Sequence, residues 1–167
     1  MTKIARKAAF TGAAAVPLAL AGMVGTATAA SLPHPSGAVQ TRIVRSAEHP
    51  NLAFLTGSYK CFGGQGVLWA SVKQGGPDPT AESSSQTVDT WYDAHVPLTC
   101  NGKQHWLTVE INKHLKSDAY PAPKNYRNLY NGKAWIQWCV TQGKQESLGN
   151  LSSTSKWGHV VSAVTGP

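Results

Sequence analysis

Apolar and polar residues alternate with a period of two along much of the chain, and the alternation breaks at clusters of Gly, Pro, Asn and Ser. Leu52 to Cys61 places Ala53, Leu55, Gly57, Tyr59 and Cys61 on one mostly apolar face, so Cys61 points inward. Val67 to Gln74 puts Leu68, Ala70 and Val72 against the core and Trp69, Ser71 and Lys73 outside; the reverse assignment of this stretch fits almost as well. His105 to Ile111 turns Leu107, Val109 and Ile111 inward and Trp106, Thr108 and Glu110 outward. Ala134 to Thr141 has Ala134, Ile136, Trp138 and Val140 as its inner face, which leaves Cys139 on the other side. Shorter candidates are Thr41 to Ser46, Gln86 to Tyr92 with Ala94 to Cys100 as two strands or one bent strand, and a closing strand from Lys156 to Val164. Pro97 argues for an edge or a bulge, because it cannot donate to a ladder. No stretch carries a convincing helical period. About seven short strands with frequent turn signals predict an all-β fold, an antiparallel β-sandwich over residues 41–167.

Between the strands lie the turns. Asn101-Gly102 predicts a tight hairpin joining Val96–Cys100 to the strand that follows, since both central residues of a type I′ turn need positive φ. Phe62 to Gly66 is a glycine-rich turn, and without a following Lys-Ser/Thr or a crossover helix it does not make a phosphate cradle. Gly75 to Ser85, Asn112 to Lys133 and Gln142 to Ser155 read as loops. Residues 30–40, with Pro33, Pro35 and Gly37, read as a flexible lead-in.

The first 29 residues stand apart. A basic start (Lys3, Arg6, Lys7), an apolar and small-residue run from Ala8 to Gly25, and Ala27-Thr28-Ala29 make the pattern of a secretory signal peptide cut before Ala30. Pro17 and the glycines make the run a poor spanning helix, and no second apolar segment follows. Removing it changes the charge. The whole chain carries +7; without those three cations, 12 Lys and Arg face 8 Asp and Glu, a net of +4. That value is ordinary for a secreted domain and gives no argument for nucleic acid.

Export permits disulfides. Cys61, Cys100 and Cys139 are spaced 39 residues apart each time, so loop entropy of about 4 kcal/mol does not separate the two adjacent pairings, and an odd count leaves one cysteine over.

Gly57-Ser-Tyr-Lys-Cys61 followed by Ser71-Val-Lys-Gln74, together with Cys100-Asn-Gly-Lys-Gln-His-Trp106, resembles a domain-of-unknown-function family of small secreted actinobacterial proteins. The resemblance spans roughly residues 41–164 and implies an immunoglobulin-like β-sandwich in which Cys61 and Cys100 are bridged. It implies no activity. Cys139 has no counterpart in the pattern, and the Tyr/Asn-rich loop is longer than the family's.

Candidate chemistry is sparse. Asp93, His95 and His105 could face one another across a hairpin, but no pair has the spacing of a zinc motif, and we expect no metal and no cofactor. There is no Gly-x-Ser-x-Gly elbow for a nucleophile. Cys139 is expected to be a bystander or an interchain link. Acids for glycoside hydrolysis (Asp89, Asp93, Glu110, Asp118) form no defined pair. The aromatics are the better lead: Trp69, Trp106 and Trp135 each fall outward, and aromatic faces stack on sugars. The segment 103–133 is the second. It mixes Tyr120, Tyr126 and Tyr130 with Lys103, Lys113, Lys116, Lys124, Arg127 and Lys133 against Glu110 and Asp118, a local net of +4. The expectation is a secreted non-catalytic protein that binds a glycan or an anionic cell-envelope polymer. A module that binds or inhibits an extracellular protein comes second, and a secreted hydrolase third.

Overall fold

The computed structural model describes residues 31–81, 87–114, 127–143 and 150–163. All lie in the second of two units into which the chain divides, Met1–Ala30 and Ser31–Pro167. Tyr120, Lys124 and Tyr126 lie outside the described residues. Among the described residues seven strands form: β1 (Ser36–Arg45), β2 (Leu52–Lys60), β3 (Gly64–Gln74), β4 (Thr90–Cys100), β5 (Gln104–Lys113), β6 (Gly132–Gln142) and β7 (Leu151–Ser162). Among the described residues no helix is long and apolar enough to cross a membrane.

The all-β expectation holds, but the seven strands close into a barrel in the order β1-β2-β5-β4-β3-β6-β7, where an antiparallel β-sandwich was expected. Two seams close it. At the first, an irregularity between Val39 and Ile43 swings β1 so that Arg42–Arg45 pair in parallel with His159–Ser162 of β7 while the strand keeps its antiparallel partner β2. Gly158 permits this approach: a Cβ there would lie 2.3 Å from the Thr41 carbonyl oxygen. Arg45 then donates from Nε (3.1 Å) and Nη2 (3.0 Å) to Ser162 Oγ. At the second seam β4 and β5 pair only through Tyr92–Lys113 and Asp93–Asn112.

That second seam corrects the expected hairpin. Asn101-Gly102 does make a tight connection, with Gly102 at φ +77° and Lys103 N–H donating to Asn101 Oδ1 (3.0 Å). The strands it joins part at once. β4 pairs along its whole length with β3, and β5 along Gln104–Asn112 with β2. The turn is tied instead to the end of β2, through Gly102 N–H to the Cys61 carbonyl (2.9 Å) and through the disulfide Cys61–Cys100. The bridge is the one the family resemblance implied.

The inner faces are those that the alternation assigned. Leu55, Leu68, Val72, Ile111, Ile136 and Trp138 are all fully enclosed. Trp138 sits centrally, and its indole N–H donates to the Ser58 carbonyl (3.2 Å). Gly37 and Gly57 make room for it: Cβ atoms at these positions would approach its ring to 2.9 and 2.7 Å. Other boundaries shift from the expectation, and the strand expected from Gln86 begins only at Thr90. β1 begins at Ser36, inside the expected lead-in; β4 is one continuous strand; and β7 begins at Leu151, inside the expected loop.

Outward does not mean exposed. Ser71, Lys73, Trp91 and Gln137 are outward yet buried, with Ser71 Oγ bonded to Gln137 Oε1 (3.1 Å). Lys73 donates to the Ala81 carbonyl (2.6 Å) and lies over the Trp91 ring (4.7 Å), stapling the β3–β4 connection onto the barrel wall. Cys139 stands outside the disulfide, 9% exposed, with Sγ 3.3 Å from Ser153 Oγ. An interchain link through it requires β6 and β7 to open locally.

Candidate functional site

The three expected tryptophans do not form one platform. Trp69 on β3 is half-buried and meets His95 edge-on at 6.4 Å. Trp135 on β6 is half-buried and meets Trp157 edge-on at 5.2 Å. They share a wall, but Trp69 pairs with Cys139, four positions along β6 from Trp135, which is about 13 Å of strand. Trp106 belongs to the opposite wall, formed by β1, β2 and β5. Alternation tells in from out; it does not tell which strands are neighbours.

Trp106 is the most exposed of these, at 64%. Its register neighbours explain why. Across the wall Ala38 pairs with Ser58 and Ser58 with Trp106, so the indole rises beside two small side chains. The next row is Ser36, Lys60 and Gln104. A shallow groove of about 200 Å³ results, lined by Ser36, Gly37, Ala38, Ser58, Tyr59 and Gln104. Gln104 Nε2 donates to Ser58 Oγ (3.2 Å), which fixes the amide along the groove edge. Among the described residues Gln104 Oε1 and Ser36 Oγ carry no hydrogen bond, so both remain available to a ligand. Beneath the floor, the enclosed Trp138 donates to the Ser58 carbonyl from within. On the far side of Trp106, Thr56 and Thr108 hydroxyls bond to each other at 2.9 Å. An exposed aromatic face, hydroxyls and an amide on one wall form a surface that can cover the apolar face of a sugar ring and bond its hydroxyls.

Of the basic segment, residues 103–114 and 127–133 are described, and Lys113 Nζ donates to Asn128 Oδ1 (3.2 Å). Arg127 is exposed, and its backbone N–H donates to the Asp89 carbonyl (2.9 Å). Tyr130 is exposed, while its backbone is held on both sides by the buried Gln74 amide, at 3.0 and 2.9 Å. These residues are pinned to the barrel. Asp93, His95 and His105 are dispersed. Asp93 pairs with His114 Nδ1 (3.0 Å), His95 faces Trp69, and His105 stacks on Tyr59 (5.1 Å) with a ring nitrogen 2.8 Å from Asn101 Oδ1. Among the described residues no three His, Cys, Asp or Glu side chains gather to hold a metal.

Sequence reasoning passed over a second aromatic row. His114 stacks on Trp91 (4.5 Å), Lys73 lies over the same indole, and Trp135 beside Lys73 continues to Trp157, over which Lys133 sits at 4.0 Å. Among the described residues the buried nitrogens Trp91 Nε1, His114 Nε2 and Trp135 Nε1 have no hydrogen-bond partner. The alternation of Trp157 and His159 in the closing strand was the available signal.

The fold and site together define a disulfide-bridged seven-stranded β-barrel with a small surface groove beside an exposed tryptophan. The chain matches no known protein-family model and no curated protein.

Proposed function

We propose that this protein is an exported, non-catalytic domain that binds a glycan on the β1-β2-β5 wall. The observation that carries the reading is Trp106, 64% exposed and standing beside the Ser36/Ser58/Gln104 groove. Trp106 supplies the stacking face, and Gln104 and Ser36 supply hydrogen bonds to sugar hydroxyls. Export is supported by the Cys61–Cys100 bridge and by the basic, apolar and small-residue order of the first 29 residues. The pairing order supports an immunoglobulin-like ancestry for the barrel. β1-β2-β5 and β4-β3-β6-β7 correspond to two sheets of such a sandwich fused at two seams, with β4 extending the second sheet as in variable-type domains. The kinship with small secreted actinobacterial proteins belongs to the same reading.

The test is co-sedimentation of the purified protein with insoluble polysaccharides and bacterial cell walls across a salt series. Stacking predicts retention that persists in high salt. Trp106→Ala, at an exposed position, is expected to weaken retention on the order of tenfold, about 1.4 kcal/mol, with unchanged thermal stability. Retention on none of the materials, or equal retention of Trp106→Ala, sinks the proposal.

A further inference from the structure

The wall formed by β6, β7 and β1 differs in charge from the rest of the barrel. These three adjacent strands carry Arg42, Arg45, Lys133 and Lys156 and no Asp or Glu. Register places three basic side chains in one outward row: Lys133 pairs with His159, and His159 with Arg42. All three are exposed, while their sequence neighbours Ile43 and Val160 turn into the core. With strands about 4.8 Å apart the row spans roughly 10 Å. Among the described residues no carboxylate lies within ion-pair distance of any of them. Arg45 is not part of the row, because its guanidinium is bound to Ser162 Oγ and to the Leu129 carbonyl (3.0 Å). Beside the row, on the same face of β7, Trp157 is 40% exposed. Its ring is fixed edge-on by Trp135, and Lys133 Nζ rests 4.0 Å from its centroid.

We infer that this wall is a second ligand site, separate from the Trp106 groove, and that it takes an anionic polysaccharide bearing sugar carboxylates. Arg42 offers a planar fork to a carboxylate, and Lys133 a point charge held in place by the indole below it. Trp157, whose ring carries the Lys133 ammonium, holds that charge in the row and offers the same sugar its remaining exposed surface. Charge complementarity names the ligand, and size narrows it. Two fixed cations, Arg42 and Lys133, with the His159 imidazole between them over about 10 Å, match one or two charged sugars; duplex nucleic acid is held by roughly 6–10 phosphate contacts over a far longer footprint. The inference does not rest on the Trp106 reading.

The experiment is titration of the protein with sodium polygalacturonate, followed by calorimetry at low and at physiological salt. A neutral glucan of similar length and duplex DNA are parallel probes. Polygalacturonate is expected to bind and to weaken with salt. Arg42→Gln with Lys133→Gln is expected to lower its affinity at least tenfold, and Trp157→Ala to lower it severalfold, whereas Trp106→Ala leaves it unchanged. The double charge variant lies wholly on the surface, so it reports even if Trp157→Ala fails to fold. Absence of binding at low salt, full binding by the charge variant, or equally tight binding of DNA overturns the inference. Loss of neutral-glycan retention in Trp106→Ala alone leaves it standing.

Discussion

Gly57→Ala probes how the interior sets the outer wall. The added Cβ would lie 2.7 Å from both Trp138 Cζ2 and the Ala38 carbonyl oxygen. Carbon contacts prefer about 3.5–4.0 Å, so something must yield by nearly an ångström. Neither neighbour yields easily: Trp138 is fully enclosed, and Ala38 belongs to a paired strand. Overpacking of this kind costs about 1–3 kcal/mol, and the upper half of that range applies here. Replacing a strand glycine returns about 0.5–1 kcal/mol of chain entropy. The net expectation is a loss of about 1–2.5 kcal/mol. Trp138→Phe alone costs about 2–3 kcal/mol, because it opens a void and strips the Ser58 carbonyl of its indole donor. In the double variant the six-membered indole edge is gone and the new methyl fills part of the void, while the contact with Ala38 remains. The two losses should therefore fall short of additivity by about 1 kcal/mol. Urea unfolding, with unchanged m, reads all four corners of the cycle. Additivity within about 0.3 kcal/mol, or a Gly57→Ala protein as stable as the parent, refutes the packing argument.

Other expectations can be measured on the same protein. Replacing Cys61 and Cys100 by Ala opens a loop of sequence separation 39 and should cost about 4 kcal/mol in denaturant midpoint analysis. Lys73→Met keeps the packing on Trp91 but removes the bond to the Ala81 carbonyl; it should cost about 1–2 kcal/mol and speed amide exchange of residues 78–81 and 87–89 ahead of the strands. Burial raises the Tyr92 phenol above its ordinary value of 10.0, with Arg45 and a backbone hydrogen bond pulling the other way. The neutral phenol is thus favoured in the fold, so its contribution is complete below pH 10.0 and is lost as pH rises through the higher folded value. Stability against urea should fall across that alkaline window, and less steeply in Tyr92→Phe.

Much of the barrel was legible because period-two alternation needs only local information. The inward faces of β2, β3, β5 and β6 follow from it directly. What it misses depends on neighbours. The first half of β7 hides its strand character, because Thr154 spends its hydroxyl on the Gly37 carbonyl (3.0 Å) in place of an apolar contact. The early start of β1 is hidden for a related reason: Gly37 sits where Trp138 needs space. Asn101-Gly102 announces a tight turn but not that a disulfide directs its two strands to different walls. The groove beside Trp106 depends on Ala38 and Ser58 lying in register with it, a fact of pairing across three strands. The cation row on β6, β7 and β1 likewise exists only once the parallel seam is formed.

That seam has a kinetic consequence. Arg45 and Ser162 are 117 positions apart, and β1 finds its parallel partner only in β7, the last strand of the barrel. Pairing at such separation must meet the entropy of gathering nearly the whole intervening chain before any contact repays it. A growing chain therefore carries β1 without its second partner until β7 has been made, and closure of the β1–β7 seam is expected to come late in folding. A chain truncated before Leu151 would have six strands with two open edges, exposed to pairing with its own copies.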